Sequence, residues 1–388
     1  MTGVPGAPAS PLKPAIAAQV ETDRVRLLEV SHTLAAHPEV AWQEHASVAL
    51  LTTELGAAGF DVTVGVAGLD TAFVATAGSG TRRVAILAEY DALPGLGHAC
   101  GHNVVAAAAL GAARALVAHV DALDLTLQVI GSPAEEGGGG KILMLEAGVF
   151  DGLHAAMMIH PGPANALLAR PYAVAHWRVA YEGFGAHAAA YPELGVNAAD
   201  ALTIAQVAIG LLRQQLPATT RVHGIVTEAG TAANAIPAHA EGHWYVRAPD
   251  LEQLDALCDR VRACFEAGAL ATGCTLTIDE TSPRYADFRN DEALAALFDA
   301  NATARGLDMG GDGGMNTAST DMGNVSQVVR AIHPYLGIDS LPAVNHQAAF
   351  ATAAVAPPAD AVVLEAAILL AWTVADFAQT GSRSGARR

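Results

Sequence analysis

Basic side chains are scarce in this sequence: 21 Lys and Arg stand against 39 Asp and Glu, a formal net charge of −18. Nucleic acid and anionic membrane surfaces call for a basic face, so neither is expected as a partner. Charge of either sign is thin at 15%, whereas 52% of residues are hydrophobic, which excludes disorder for most of the chain. Aromatics reach only 5%, and much of the apolar content is alanine, so the core should be helix-rich and built from small side chains. The cysteines, at 100, 258, 264 and 274, have the spacing of neither a disulfide framework nor a zinc ribbon. That usage fits a reducing compartment and a soluble, cytoplasmic protein. Cys258 and Cys264 fall in an amphipathic helical pattern and read as core residues. A clean membrane span is also lacking: 104–120 carries Arg114 and His119, and 361–378 carries Glu365 and Asp376. Residues 1–14 do not have the basic-then-apolar order of a signal peptide and read as a flexible leader, with 381–388 a frayed tail.

At 388 residues the chain exceeds one comfortable core and should hold two domains. Residues 19–58 read as a helix pair, ending where Gly59 would stop a helix. Continuous apolar strands at 84–90, 125–131 and 155–159 then alternate with helices at 103–119 and 140–147. Such alternation predicts an α/β fold with helices on both faces of a mainly parallel sheet. After Arg170 the character changes: strand, helix, two strands, helix and strand spell β-α-β-β-α-β over 171–285, a ferredoxin-like α+β insertion. The α/β pattern resumes near 291 and closes with a helix over 360–377. The catalytic domain is therefore expected over 15–170 and 286–380.

Polar residues gather just past the ends of the apolar strands. Glu89 and Asp91 follow the first, Glu135-Glu136 and four glycines follow the second, and His160 follows the third. Open α/β sheets collect their functional groups at that edge. Cys100 and His102, one residue apart, would face the same side of a turn and suit zinc and other borderline metals. A Glu-Glu pair before glycines makes poor helix and poor strand. Beside a metal, one carboxylate would bind it while the other takes a proton from the activated water. Late in the chain, Asn345-His346-Gln347 offers another histidine.

Together, Ala88-Glu89-Tyr90-Asp91-Ala92-Leu93-Pro94, His98-Ala99-Cys100-Gly101-His102-Asn103, the Glu-Glu-glycine segment, Ile159-His160-Pro161 and Gly183-Phe184-Gly185-Ala186-His187-Ala188 make a pattern. Asn234-Ala235-Ile236-Pro237, the segment 319–326 and Ile332-His333-Pro334 extend it over nearly the whole chain. In these motifs the sequence resembles the M20 metallopeptidase and amidohydrolase family, in the branch of aminoacylases, auxin-conjugate hydrolases and p-aminobenzoyl-glutamate hydrolase. The resemblance implies a catalytic α/β domain with an inserted ferredoxin-like lid and dimerisation domain. It implies Cys100, His102, Glu136, His160 and His346 as ligands of two divalent metal ions, zinc or manganese. Glu135 would be the general base, and Asp91 would orient a ligand. His187 would stabilise the tetrahedral intermediate, often across a homodimer, and Asn234 and Arg247 would contact a substrate carboxylate. Asp321 matches a segment bordering the site. Two departures stand out: relatives often carry Lys or Arg at Phe184, and the usual His-Thr-x-Glu-Phe reads His346-Gln347-Ala348-Ala349-Phe350 here.

The function these residues imply is hydrolysis of a small amide: an N-acyl amino acid, an aryl-amide of an amino acid or a dipeptide. Water activated by the metals would attack, and Glu135 would relay the proton. Hydrolytic deamination of a small ring amine is a second reading, although the nucleobase-deaminase signature is absent. A cysteine nucleophile lacks an Asn or Asp orienter. A catalytically silent binding module would typically have lost the base or a ligand.

Overall fold

The computed structural model describes residues 10–311 and 318–380. Two compact units result, one holding the described residues up to Pro171 and from Phe288 onward, the other Tyr172–Asp287. The first unit begins with α1 (Lys13–Thr22), α2 (Arg24–Ala36), α3 (His45–Ala57), β1 (Asp61–Val64), β2 (Phe73–Ala77) and β3 (Arg82–Glu89). It continues through α4 (His102–Leu116), β4 (Leu125–Ser132), α5 (Gly140–Glu146), β5 (Ala155–Met157) and β6 (His160–Gly162). The second unit comprises β7 (Ala173–Glu182), α6 (Ala198–Leu212), β8 (Arg221–Glu228), β9 (His239–Ala248), α7 (Leu251–Thr272) and β10 (Thr275–Glu280). The chain then returns through α8 (Glu292–Ala304), α9 (Met322–Val328), β11 (Ala331–Ile332), β12 (Tyr335–Gly337), α10 (Ala348–Ala353) and α11 (Pro357–Gln379).

The main sheet of the first unit runs β1-β2-β4-β3-β5-β11, antiparallel through β1, β2 and β4 and parallel from β4 to β11. Its central strand shows why the sequence reads as a continuous apolar run. Val84, Ile86 and Ala88 enter a core shared with α4 and α11, while Ala85 and Leu87 enter another with Met144 of α5 and Met322 of α9. Neither face meets water, so alternation disappears. Helix α4 is built largely of Ala and Val and packs closely between β3 and α11. Helix α11 is long and apolar enough to cross a membrane, but most of it is buried in this core. Parallel pairing sets Glu89 opposite Ser132, so the polar segments after β3 and β4 leave the sheet side by side.

The second unit is an antiparallel sheet of order β10-β7-β9-β8, with α6 and α7 burying Trp177, Tyr181, Leu202 and Phe265. Its connectivity is β-α-β-β-α-β.

The structure corrects three expectations. Three helices precede β1 instead of a pair, because α1 stops at Asp23 and α2 restarts directly at Arg24, a break that continuous helical periodicity hides. The strand expected over 155–159 is shorter, and His160 starts β6, which pairs with β12 in a separate small parallel sheet. The flexible leader expected over 1–14 is ordered at its inner end. The buried Ser10 N–H donates to Asp376 Oδ1 at 2.9 Å, and Lys13 Nζ lies 2.7 Å from Asp376 Oδ2. Residues 1–9 and the tail 381–388 lie outside the described residues.

Candidate metal centre

The centre is assembled where the polar segments leave the sheet. Cys100, Gly101 and His102 form the turn into α4. Gly101 has φ +82°, and a Cβ there would stand 2.4 Å from Cγ of Pro161, so only glycine fits between the two flanking residues. This close approach brings Cys100 Sγ to 3.7 Å from Nε2 of His160. Beyond β4, Ala134 adopts φ +57° while its N–H donates to the buried Glu44 carboxylate at 2.9 Å. The N–H of Glu136 donates to Asp91 Oδ2 at 3.0 Å, which ties the Glu-Glu segment to the segment after β3. Gly140 closes that loop so tightly that a Cβ would lie 2.0 Å from the Pro133 carbonyl oxygen.

His346 comes from far along the chain. Its N–H donates to the Ala99 carbonyl at 2.9 Å, and its Nε2 lies 3.6 Å from Cys100 Sγ and 3.3 Å from Glu136 Oε2. The departure from the usual motif around it therefore does not remove it from the cluster. Asn345 alongside donates its amide to the Pro161 carbonyl at 3.3 Å.

Two triads share the thiol. The ligating atoms of Cys100, His102 and His160 lie within 4.8 Å of one another, as do those of Cys100, Glu136 and His346. His102 gives Nδ1 to the Asp91 carbonyl and carboxylate at 2.8 and 3.1 Å, and His160 gives Nδ1 to the Pro161 carbonyl at 2.8 Å. Both imidazoles thus present Nε2 inward, the arrangement in which a ligating histidine is oriented through its other nitrogen. Among the described residues, His102 Nε2 and Glu136 Oε1 are enclosed without a hydrogen-bond partner. Buried polar atoms seldom stay so, and a thiol, three imidazoles and a carboxylate suit a borderline divalent metal. The residues fit a metal.

Electrostatics divide the two adjacent glutamates and their neighbours. Burial, with the carboxylates of Glu89, Glu136 and Asp321 nearby, holds the Glu135 carboxyl well above its ordinary range, giving it a strong affinity for a proton. Burial alone would raise Asp91 too, but the His102 imidazole and its hydrogen bond outweigh that and hold it lowered. Burial, reinforced by His333 and His102, pushes His160 down to about 3, so it stays neutral and able to donate its lone pair. Oε2 of Glu135 lies 3.9 Å from His102 Nε2.

The first unit thus brings together Asp91, Cys100, His102, Glu135, Glu136, His160 and His346. The remaining three candidates belong to the second unit. There His187 and Asn234 lie side by side, the Ala188 N–H donating to the Asn234 carbonyl at 2.9 Å, and both are exposed. Arg247, half-buried on β9, donates through Nε to His223 at 3.3 Å and lies over the Tyr245 ring. Phe184 is exposed.

Sequence reasoning missed Lys141 and Glu44. Lys141 is fully buried, with Nζ 2.5 Å from Glu89 Oε1 and 2.6 Å from Asp321 Oδ1. One signal pointed to it: a cation in the first turn opposes the helix dipole, so it needs a compensating partner. Glu44 reads as an ordinary helix-start residue, and nothing local marks its bond to Ala134.

The signature of peptidase family M20/M25/M40 matches residues 85–365. The chain belongs to the M20 peptidase family. It is a hydrolase acting on C–N bonds. This M20 chain is 40% identical to the Xaa-Arg dipeptidase of Mus musculus, over 94% of its own length and 88% of that protein. It is 35% identical to one of the subunits of the p-aminobenzoyl-glutamate hydrolase of Escherichia coli, over 66% of its length and 58% of that protein. A Bacillus subtilis structure described as a dinuclear metal binding peptidase from M20 family superposes with TM-score 0.69 at 21% identity, covering 93% of this chain and 99% of that one. An aminobenzoyl-glutamate utilization protein from Klebsiella pneumoniae gives TM-score 0.70 at 20% identity, covering 89% and 96%. At those identities the likeness is one of fold, and the M20 chain shares it along most of its length.

Proposed function

We propose that this M20 chain is a metal-dependent dipeptidase that hydrolyses the amide bond of small dipeptides with a basic C-terminal residue. The observation that carries the hydrolytic reading is the cluster of buried Cys100, His102 and His160 with partly buried Glu136 and exposed His346, and buried Glu135 beside it. The substrate preference is supported by the Xaa-Arg dipeptidases of mouse and human, 40% and 37% identical over 94% and 90% of the chain. A net charge of −18 also favours a cationic substrate over an anionic one.

Cys100, His102, Glu136, His160 and His346 would hold two divalent ions, zinc or manganese, with the thiol common to both triads. When bound, these ions would acidify water and polarise the amide carbonyl. The remaining work belongs to side chains. Asp91 fixes the His102 ring through Nδ1 and the Glu136 backbone through its N–H. The Glu135 carboxylate accepts a proton from the attacking water, then delivers it to the amide nitrogen as the C–N bond breaks. His187 would steady the oxyanion, and Asn234 and Arg247 would hold the substrate carboxylate. A cytoplasmic homodimer assembled through the second unit completes the reading, with the largely exposed edge strand β8 as a contact surface.

The test is turnover, followed by mass spectrometry, on dipeptides ending in Arg or Lys, neutral dipeptides, p-aminobenzoyl-glutamate and N-acetyl amino acids. Metal-loaded protein is compared with chelated protein and with Glu135→Gln. Turnover of basic dipeptides should vanish on chelation and fall roughly 100- to 10,000-fold in Glu135→Gln, with unfolding little changed. Full turnover by Glu135→Gln would overturn the assignment of the base, and preference for an anionic conjugate would overturn the substrate class.

A further inference from the structure

An exposed tryptophan stands in a backbone conformation that bulky residues rarely adopt. The Gln43 N–H donates to the Val40 carbonyl at 2.9 Å, closing a tight turn with Trp42 at its third position. There φ is +68°, where such a turn favours glycine. Strain of this kind persists only where the surroundings impose it, and it gathers at ligand sites. Here the turn is held on both flanks. Ahead of it, Val40 bridges Ala92 in the segment after β3, and the Ala92 N–H donates to the Glu39 carbonyl at 2.8 Å. Behind it, the Glu44 carboxylate accepts from Ala134 in the loop after β4.

The indole lies on that loop. A Cβ at Gly138 would stand 2.4 Å from Trp42 Cζ2, so glycine lets the ring rest against the backbone. Gly138 is buried, whereas Gly137 and Trp42, itself 40% exposed, face solvent. Two residues before Gly138 comes the partly buried Glu136 of the metal centre, 3.3 Å from exposed His346. The ring thus borders the open side of the centre. Neither 38–44 nor 133–140 contains Lys or Arg, and none of the described cations lies over the Trp42 ring. An aromatic face at the rim of a hydrolytic centre suits a cationic group of a ligand.

We propose that Trp42 is a specificity-determining residue: its indole face receives the cationic side chain of the dipeptide whose amide lies at the metal centre. This inference rests on the function proposed above and assigns its substrate preference to one side chain. Glycine would fit the turn better, and an aliphatic residue would cover Gly138 as well. Only an aromatic face also attracts a cation, through the negative potential of its π system.

The experiment measures kcat/KM of the metal-loaded full chain for alanyl-lysine and for alanyl-norleucine, which has the same side chain without the ammonium. Wild type should favour alanyl-lysine. In Trp42→Leu that preference should fall about 5- to 30-fold, the strength of a cation–π contact sheltered from water, with kcat/KM for alanyl-norleucine within about threefold of wild type. Trp42→Phe, which keeps a weaker ring, should lie between the two. A fall in preference of less than about fivefold in Trp42→Leu overturns the proposal. So does an equal loss on both dipeptides, which would mark the indole as a support of the loop alone. If Trp42→Leu does not fold, Trp42→Phe decides: a reduced preference supports the contact, and an unaltered one overturns it. A wild type that cleaves both dipeptides equally, or neither, refutes the substrate preference proposed above and this inference with it. An unaltered preference in a folded variant refutes this inference alone.

Discussion

Gly101→Ala puts a single methyl where the backbone and the metal centre both resist it. At φ +82° a non-glycine residue costs about 1–2 kcal/mol. The new Cβ would stand 2.4 Å from Cγ and 3.4 Å from Cβ of Pro161, and 3.5 Å from Phe350 Cε1. A proline ring cannot rotate aside, so overpacking adds about 1–3 kcal/mol. Reduced freedom of the unfolded chain returns less than about 1 kcal/mol. The net loss is therefore about 2–4 kcal/mol, a large part of the ~5–15 kcal/mol that holds a typical protein folded. Relief by backbone movement would separate Cys100 Sγ from His160 Nε2, now 3.7 Å apart. Metal affinity should consequently fall at least about tenfold, equivalent to ~1.4 kcal/mol. Urea unfolding of the chelated protein measures the first effect, expected as a lower midpoint with an unchanged slope. Competition with a chromogenic chelator measures the second. A variant within about 0.5 kcal/mol of wild type, with unaltered metal affinity, would refute the reasoning.

The second unit should carry an acid-sensitive histidine. Burial, aided by Arg247 and His223, pushes His176 down to about 4, and its Nδ1 shares a 2.5 Å hydrogen bond with Ser282. Its folded value lies below the unfolded one of about 6.5, so its contribution is full above pH 6.5 and is lost as pH falls towards 4, up to about 3 kcal/mol. In thermal melts of chelated protein, His176→Gln should flatten the pH dependence over that window; an equally steep loss would count against it. Asp291 caps α8 by accepting from the Leu294 N–H at 3.0 Å and pairs with Arg330 at 2.9 Å. Asp291→Ala should therefore lower stability by about 1–2 kcal/mol in urea unfolding without changing the bound-metal count.

Local chemistry made much of this molecule legible before its structure. Strands β3 and β4 are legible because burial on both faces writes a continuous apolar run, and Gly59 marks the end of a helix because glycine reaches the left-handed turn cheaply. Cys100, His102 and the Glu135-Glu136 pair stand out because polar groups of those types have no ordinary structural reason to follow such strands. The break between α1 and α2 is not legible, since helical spacing continues across Asp23.

What tertiary structure alone decided is partnership over distance. Lys141 reads as a helix-surface cation until Asp321, 180 residues later, is seen to enclose it. Glu44 reads as helix-start chemistry until its carboxylate is found accepting from Ala134, 90 residues on. His346 sits in a departed motif and reaches Cys100 across 246 residues only because the Ala99 carbonyl receives its N–H. By itself, the sequence determined which side chains are chemically equipped and which strand ends present them, because secondary structure and burial patterns are local. It did not determine which buried charges meet, because desolvation and Coulomb attraction depend on distances that only the packed chain defines.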